Sequence, residues 1–240
     1  MVLRRPGVAW PLLLAANRDE REDRAWDAPA AHWPAQPGVV GGRDRTAGGT
    51  WMAMNQAGVV CAVLNRVGTL GPAADKRSRG ELPLLAMREG SAEAAAAAIA
   101  ALPAGEWRGF NMVLADAAGA YFLRGLGHGR AEVVVLPPGV SMVTAHDPND
   151  LGSPRTARHL PRFQAAPVPE PDRDDWAGWE ALLGDDSVAE GRADTLCVPP
   201  VGGFATVSSS LVGLAANGRR IWRFAHGAPN RAPFRPLHLG

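Results

Sequence analysis

Lysine is almost missing from this chain: of its 25 basic residues, only Lys76 is not an arginine. The 24 acidic residues leave a formal net charge of +1, so the chain lacks the electrostatic footprint of a nucleic-acid partner. Cysteine is as scarce. Cys61 and Cys197 are the two present, in a chain of 240 residues that is long enough to bury a core without a disulfide framework. Both read as small buried hydrophobes of a reducing, cytoplasmic setting. Long apolar runs are also lacking. The longest, Val8 to Ala16, is nine residues and contains Pro11, well short of the roughly 18 that span a bilayer. Behind Arg4 and Arg5 it has the length of a secretory signal's apolar segment, yet it is better read as a buried strand. There is no Gly-x-x-x-x-Gly-Lys phosphate loop, no His-Glu-x-x-His zinc helix and no Gly-x-Ser-x-Gly elbow. The six histidines are scattered without metal-ligand spacing.

What is present is 46% hydrophobic residues with 28 glycines and 21 prolines, the composition of a folded, turn-rich protein read as one domain over residues 1–240. Three segments have the form of β-hairpins. Trp51 to Asn65 turns at Asn55–Gly58, Asn111 to Arg124 turns at Asp116–Gly119, and Ser208 to Phe224 turns at Asn217-Gly218, where both residues tolerate positive φ. The run Ser208-Ser209-Ser210 reads as part of one strand. Helical stretches lie between the hairpins. Ser78 and Glu81 have capping-box spacing for a helix over 78–88, and Ser91 caps the alanine-rich run 92–102. Ser153-Pro154 opens a helix toward Phe163 whose end Pro161 limits, and a further helix over 174–183 stops at Gly184. A strand is expected over 141–145, and Ala165 to Pro171 is a linker without a domain boundary. Hairpins interleaved with helices predict an α+β fold of antiparallel sheets covered by helices.

Chemistry is sought where the buried run Leu12–Ala16 turns abruptly into Asn17-Arg18-Asp19-Glu20. The strand period of two puts Asn17 and Asp19 on one face and Arg18 and Glu20 on the other. A solvated strand end carrying an ion pair is the plainer reading.

The stretch Leu12 to Glu20 resembles the signature of the NRDE-motif family, which includes the transport and Golgi organisation protein 2 of animals. Gly48-Gly49-Thr50-Trp51-Met52-Ala53, Ala62-Val63-Leu64-Asn65-Arg66, Ser78-Arg79-Gly80-Glu81-Leu82 and Gly109 to Asp116 resemble further elements of that family in the same order. The resemblance implies an αββα sandwich like that of N-terminal-nucleophile hydrolases. In those enzymes a terminal Cys, Ser or Thr attacks an amide and its own α-amine is the base. An α-amine has a reference pKa near 7.7–8.0, so a useful fraction is neutral at pH 7. Family members generally start Met-Cys, whereas this chain starts Met1-Val2-Leu3 and has no Cys, Ser or Thr before Thr46. Either catalysis is lost and the fold kept for binding, or a few residues bearing the thiol precede Met1; both stay open.

By resemblance to the choloylglycine-hydrolase branch, Arg18 matches an arginine after the first strand pair and Asn65 an oxyanion-hole asparagine. That branch has an acid three residues after its arginine, where this chain has Arg21; aligning Asn17 instead puts Glu20 in the acid's place. A third asparagine expected near 141–145 is absent, and His146 beside Asp147 is either a base or part of a hydrogen-bonded loop. The candidate catalytic residues are therefore Asn17, Arg18, Asp19, Glu20 and Asn65. Two functions follow: hydrolysis of a linear amide or acyl bond if an upstream Cys exists, or non-catalytic handling of haem or a lipid or acyl-CoA-type small molecule. Haem enters by family resemblance alone; no residue pattern points to a cofactor or metal.

Overall fold

The run Leu12–Ala15 is unbroken because the strand that contains it is buried on both faces, with every one of these residues at most 3% exposed. The structure, a computed structural model, describes residues 1–71 and 73–239. In chain order the strands are β1 (Val2–Arg4), β2 (Leu12–Arg21), β3 (Trp26–Ala30), β4 (Val40–Asp44), β5 (Met52–Met54), β6 (Val60–Asn65), β7 (Phe110–Ala115), β8 (Ala120–Gly125), β9 (Glu132–Val135), β10 (Gly139–Ser141), β11 (Phe204–Leu214), β12 (Arg220–Ala225) and β13 (Phe234–Pro236). The helices are α1 (Glu81–Ala86), α2 (Ala92–Ala100), α3 (Pro154–Ala165) and α4 (Ala177–Leu183). The chain forms two antiparallel sheets and divides into two compact units.

The first unit is Met1–Arg24, Pro138–Met142 and Asn149–Leu239. Its six-stranded sheet runs β10-β1-β2-β11-β12-β13, and β2 pairs with β11 from Leu12 opposite Leu214 to Arg21 opposite Phe204. Leu3, Leu13, Ala15 and Leu211 from this sheet join Phe163, Trp176, Trp179 and Leu183 from the helical side in one core. Ser153 caps α3 by accepting from Thr156 N, as expected. Pro161 does not limit the helix, which continues to Ala165. The missing N–H removes one hydrogen bond, while buried Leu160 and Phe163 anchor the last turn. The fourth helix begins at Ala177 and not at Asp174, whose φ of +55° is left-handed and breaks the helical path; Gly184 ends it as expected.

The second unit is Ala25–Pro137 with Val143–Pro148, and its seven strands run in sequence order from β3 to β9. Ala92, Ala95, Ala96 and Ile99 of α2 pack into a core with Met112, Leu114 and Leu123, small side chains that let helix and sheet approach closely. Ser91 caps α2 through Ala94 N. Ser78 does not cap α1: its hydroxyl accepts from Gly80 N at 3.2 Å, and Gly80 takes the N-cap position without a side-chain bond. The strand expected over 141–145 ends at Ser141. Met142 N donates to Asn149 Oδ1 at 2.8 Å and Asn149 N returns to Met142 O at 2.9 Å, a local ring that turns the chain.

One buried cluster of the first unit makes stability pH-dependent. His159 is fully buried on α3, with Nε2 2.8 Å from Asp194 O and Nδ1 3.2 Å from Arg162 Nη1, and burial pushes its pKa down. Burial alone would raise the Asp185 carboxyl, but bonds from Ser187 and Arg162 outweigh it and hold the group at about 2. Both native pKa values lie below their unfolded ones, so the unfolded chain binds protons first as pH falls. The melting temperature is expected to decline as pH drops below about 6.5, and again below about 3.8 toward 2. Thermal melts against pH check this, and His159→Gln should shrink the decline below about 6.5 while leaving the one below about 3.8 unchanged.

Candidate functional site

Four polar residues in a row on β2 divide cleanly between its two faces. Asn17 donates from Nδ2 to Leu183 O at 2.9 Å and to Leu196 O at 3.0 Å, and its Oδ1 accepts from Ser209 Oγ at 2.7 Å. Asp19 accepts from Arg155 Nη1 at 2.8 Å and from Thr206 Oγ1 at 2.6 Å. Both therefore look toward α3, α4 and the segment leading into β11, and brace the strand against them. Arg18 and Glu20 project from the other face, 3.7 Å apart, and the Arg18 side chain is only 9% exposed. Glu20 also lies 3.7 Å from Arg24.

On the Arg18 face, Ser208 sits directly across from Arg18 on β11, and Ser210 accepts from Trp222 Nε1 at 3.1 Å. On the other side of β2 is β1, with Val2 opposite Leu14 and Arg4 opposite Leu12. At the head of β1 the Met1 α-amine donates to Ala15 O at 2.7 Å, and burial pushes its pKa down to about 5. An amine held there is uncharged at neutral pH.

Asn65 belongs to the second unit, where it is exposed at the end of β6 opposite Phe110. The structure thus gathers Asn17 to Glu20 on one strand and places Asn65 on another sheet. A different asparagine is fully buried: Asn111 on β7 donates to Thr144 O at 2.9 Å and His146 O at 2.7 Å and accepts from Arg66 at 2.9 Å. Arg66 and Arg124 both bind Asp147, at 2.8 and 2.5 Å. Residues 143–148 are therefore a loop clamped by hydrogen bonds and ion pairs. Alternation along Phe110–Ala115 does not mark Asn111, since the whole strand is buried.

The Gly-Gly-Thr-Trp and Ser-Arg-Gly-Glu-Leu elements form one device. Thr50 N donates to Gly80 O at 2.9 Å, and a Cβ on Gly49 would stand 2.5 Å from the Gly80 carbonyl carbon and oxygen. Backbone meets backbone at the start of α1. Both cysteines are buried and free, with burial raising their pKa values, so neither is a ready nucleophile. Among the described residues no three His, Cys, Asp or Glu side chains converge to hold a metal, and no helix is long and apolar enough to cross a membrane.

A profile of the family described as Transport and Golgi organisation 2 matches residues 2–150. The chain belongs to that family. The match draws on both units, since residues 2–24 and 138–142 lie in the first. Solved structures agree on the fold. This family member is similar to a penicillin V acylase from Agrobacterium tumefaciens, with a TM-score of 0.61 and 14% identity over 94% of this chain and 81% of that one. It is also similar to a mutant form of a conjugated bile acid hydrolase from Clostridium perfringens, with a TM-score of 0.50 and 12% identity over 99% of this chain and 95% of that one. No curated protein matches the sequence. The architecture is α+β, of the N-terminal-nucleophile-hydrolase kind, as the family resemblance implied.

Proposed function

We propose that this protein hydrolyses a linear amide or similar acyl bond, using a thiol that precedes Met1 in the native chain. The observation that carries this reading is the position of Arg18, a nearly buried guanidinium on the strand beside β1. The β1–β2 register sets Met1 across from Ala15, so a strand continued backward reaches Arg18 at the third residue before Met1. The period of two puts that residue on the Arg18 face. A cysteine there would lie beside a fixed positive charge, which favours the thiolate. Its α-amine would take the thiol proton as sulfur bonds to the acyl carbon, then deliver it to the leaving amine as the C–N bond breaks; water would release the acid from the thioester. Asn17 and Asp19 hold the strand, and Arg18 and Glu20 face the chemistry. We read residues 1–240 as one family domain, and the two buried free thiols favour the cytoplasm.

The test begins with the in-frame codons upstream of Met1 and the terminal peptide of the natively expressed protein. A mature cysteine three residues before Met1 is expected, and one equivalent of iodoacetamide should abolish hydrolysis of penicillin V, the substrate named for the Agrobacterium acylase. A native chain that starts at Met1 or Val2 would sink the proposal. Non-catalytic handling of haem or an acyl-CoA-type molecule would then lead, read by a Soret band or a ligand-induced rise in melting temperature.

A further inference from the structure

Three consecutive serines in β11 are each at most 3% exposed, and the fold uses two of them. Ser209 Oγ donates to Asn17 Oδ1 at 2.7 Å, and Ser210 Oγ accepts from Trp222 Nε1 at 3.1 Å. The Ser208 hydroxyl, 1% exposed as a residue, has no hydrogen-bond partner among the described residues. A buried hydroxyl left unbonded carries a desolvation cost that alanine at the same place would not. The local backbone accounts for its aim. A register shift between Thr206 and Ser208 inserts Val207 as the extra residue, and so brings Ser208 across from Arg18 and onto the Arg18 face. Without that bulge the alternation would turn Ser208 toward α3 and α4.

We infer that Ser208 and Arg18 together bind the carboxylate of a small organic acid, with the Ser208 hydroxyl fixing one oxygen while the guanidinium holds the charge. The chemistry of the pair selects this class. A guanidinium only donates, and the idle hydroxyl is free to donate, so the matching group is an acceptor with two oxygens. Glu20, 3.7 Å from Arg18, competes for the same cation and keeps the binding loose. The inference rests on the hydrolase reading only in that such an acid is the product of the proposed reaction.

The experiment titrates the full chain with sodium hexanoate by calorimetry, with thermal melts in parallel, for the wild type, Ser208→Ala and Ser209→Ala. Removing one hydrogen bond to a charged group should weaken hexanoate binding by about fivefold or more in Ser208→Ala. Its melting temperature without ligand should stay level or rise. Ser209→Ala should do the reverse, melting earlier while keeping its hexanoate affinity. No heat of binding in the wild type overturns the inference, as does unchanged affinity in Ser208→Ala. A melting temperature that falls in Ser208→Ala as it does in Ser209→Ala also overturns it, because the hydroxyl would then serve the fold. Hexanoate binding needs no bond cleavage, so the two readings fail separately. Binding that depends on Ser208 without any hydrolysis rejects the hydrolase alone; hydrolysis with kcat and KM unchanged in Ser208→Ala rejects this inference alone.

Discussion

Replacing Gly49 with alanine is expected to cost about 3 kcal/mol and lower the melting temperature by roughly 6–12 °C. The new Cβ would stand 2.5 Å from both the carbonyl carbon and the oxygen of Gly80, where a side chain has no rotamer by which to yield. Relief requires the loop to move off the start of α1, which breaks the 2.9 Å bond from Thr50 N to Gly80 O. Gly48 is the natural control. A Cβ there meets nothing within 4 Å, so Gly48→Ala carries only the strain of its φ of +76°, about 1 kcal/mol. Paired melts of the two variants measure the difference. Equal effects would mean that the close approach of the two backbones is not what these glycines serve. Gly80→Ala addresses the same contact, so the double variant should fall short of the sum of the singles.

That device shows where the sequence was legible and where it was not. Asn217-Gly218 announced the turn between β11 and β12, and Gly218 does hold a φ of +84°. The hairpins β5–β6 and β7–β8 were equally plain, because a turn signal sits between runs long enough to pair. Ser91 and Ser153 cap the helices their positions promised. Ser78 misled because a capping box is defined by spacing alone, and the same spacing serves a serine that bonds two residues on while glycine takes the cap. Strands β3, β4 and β9 gave little sign. Pro29 interrupts the first, Gly41-Gly42 the second, and the third is four residues long. At the candidate site, alternation separated Asn17 and Asp19 from Arg18 and Glu20. It did not say which face met the helices, since Leu183, Leu196 and Arg155 come from more than 130 residues away and no local pattern names them.

The same division makes the second large prediction, that the two halves of Asn17-Arg18-Asp19-Glu20 fail in different ways. Asn17→Ala leaves the carbonyls of Leu183 and Leu196 without their donor and leaves the Ser209 hydroxyl only the carbonyl of Ala16, at 3.2 Å. At about 1–3 kcal/mol for each buried group stranded, tempered by partial access to water, the loss should be about 3 kcal/mol. Arg18→Met removes a charge and its desolvation together and keeps the apolar stem, so stability should hold within about 1 kcal/mol. Function should show the opposite order. Arg18→Met is expected to lower acyl-amide hydrolysis by about 100-fold or more, the effect of losing one group aimed at developing charge. Asn17→Ala should lose only what its smaller folded fraction explains, and recover at a temperature well below its melting point. Thermal melts and initial rates on the same preparations decide it. If Arg18→Met melts as early as Asn17→Ala, Arg18 is a brace like its neighbours, and the face it shares with Ser208 has no claim to the chemistry.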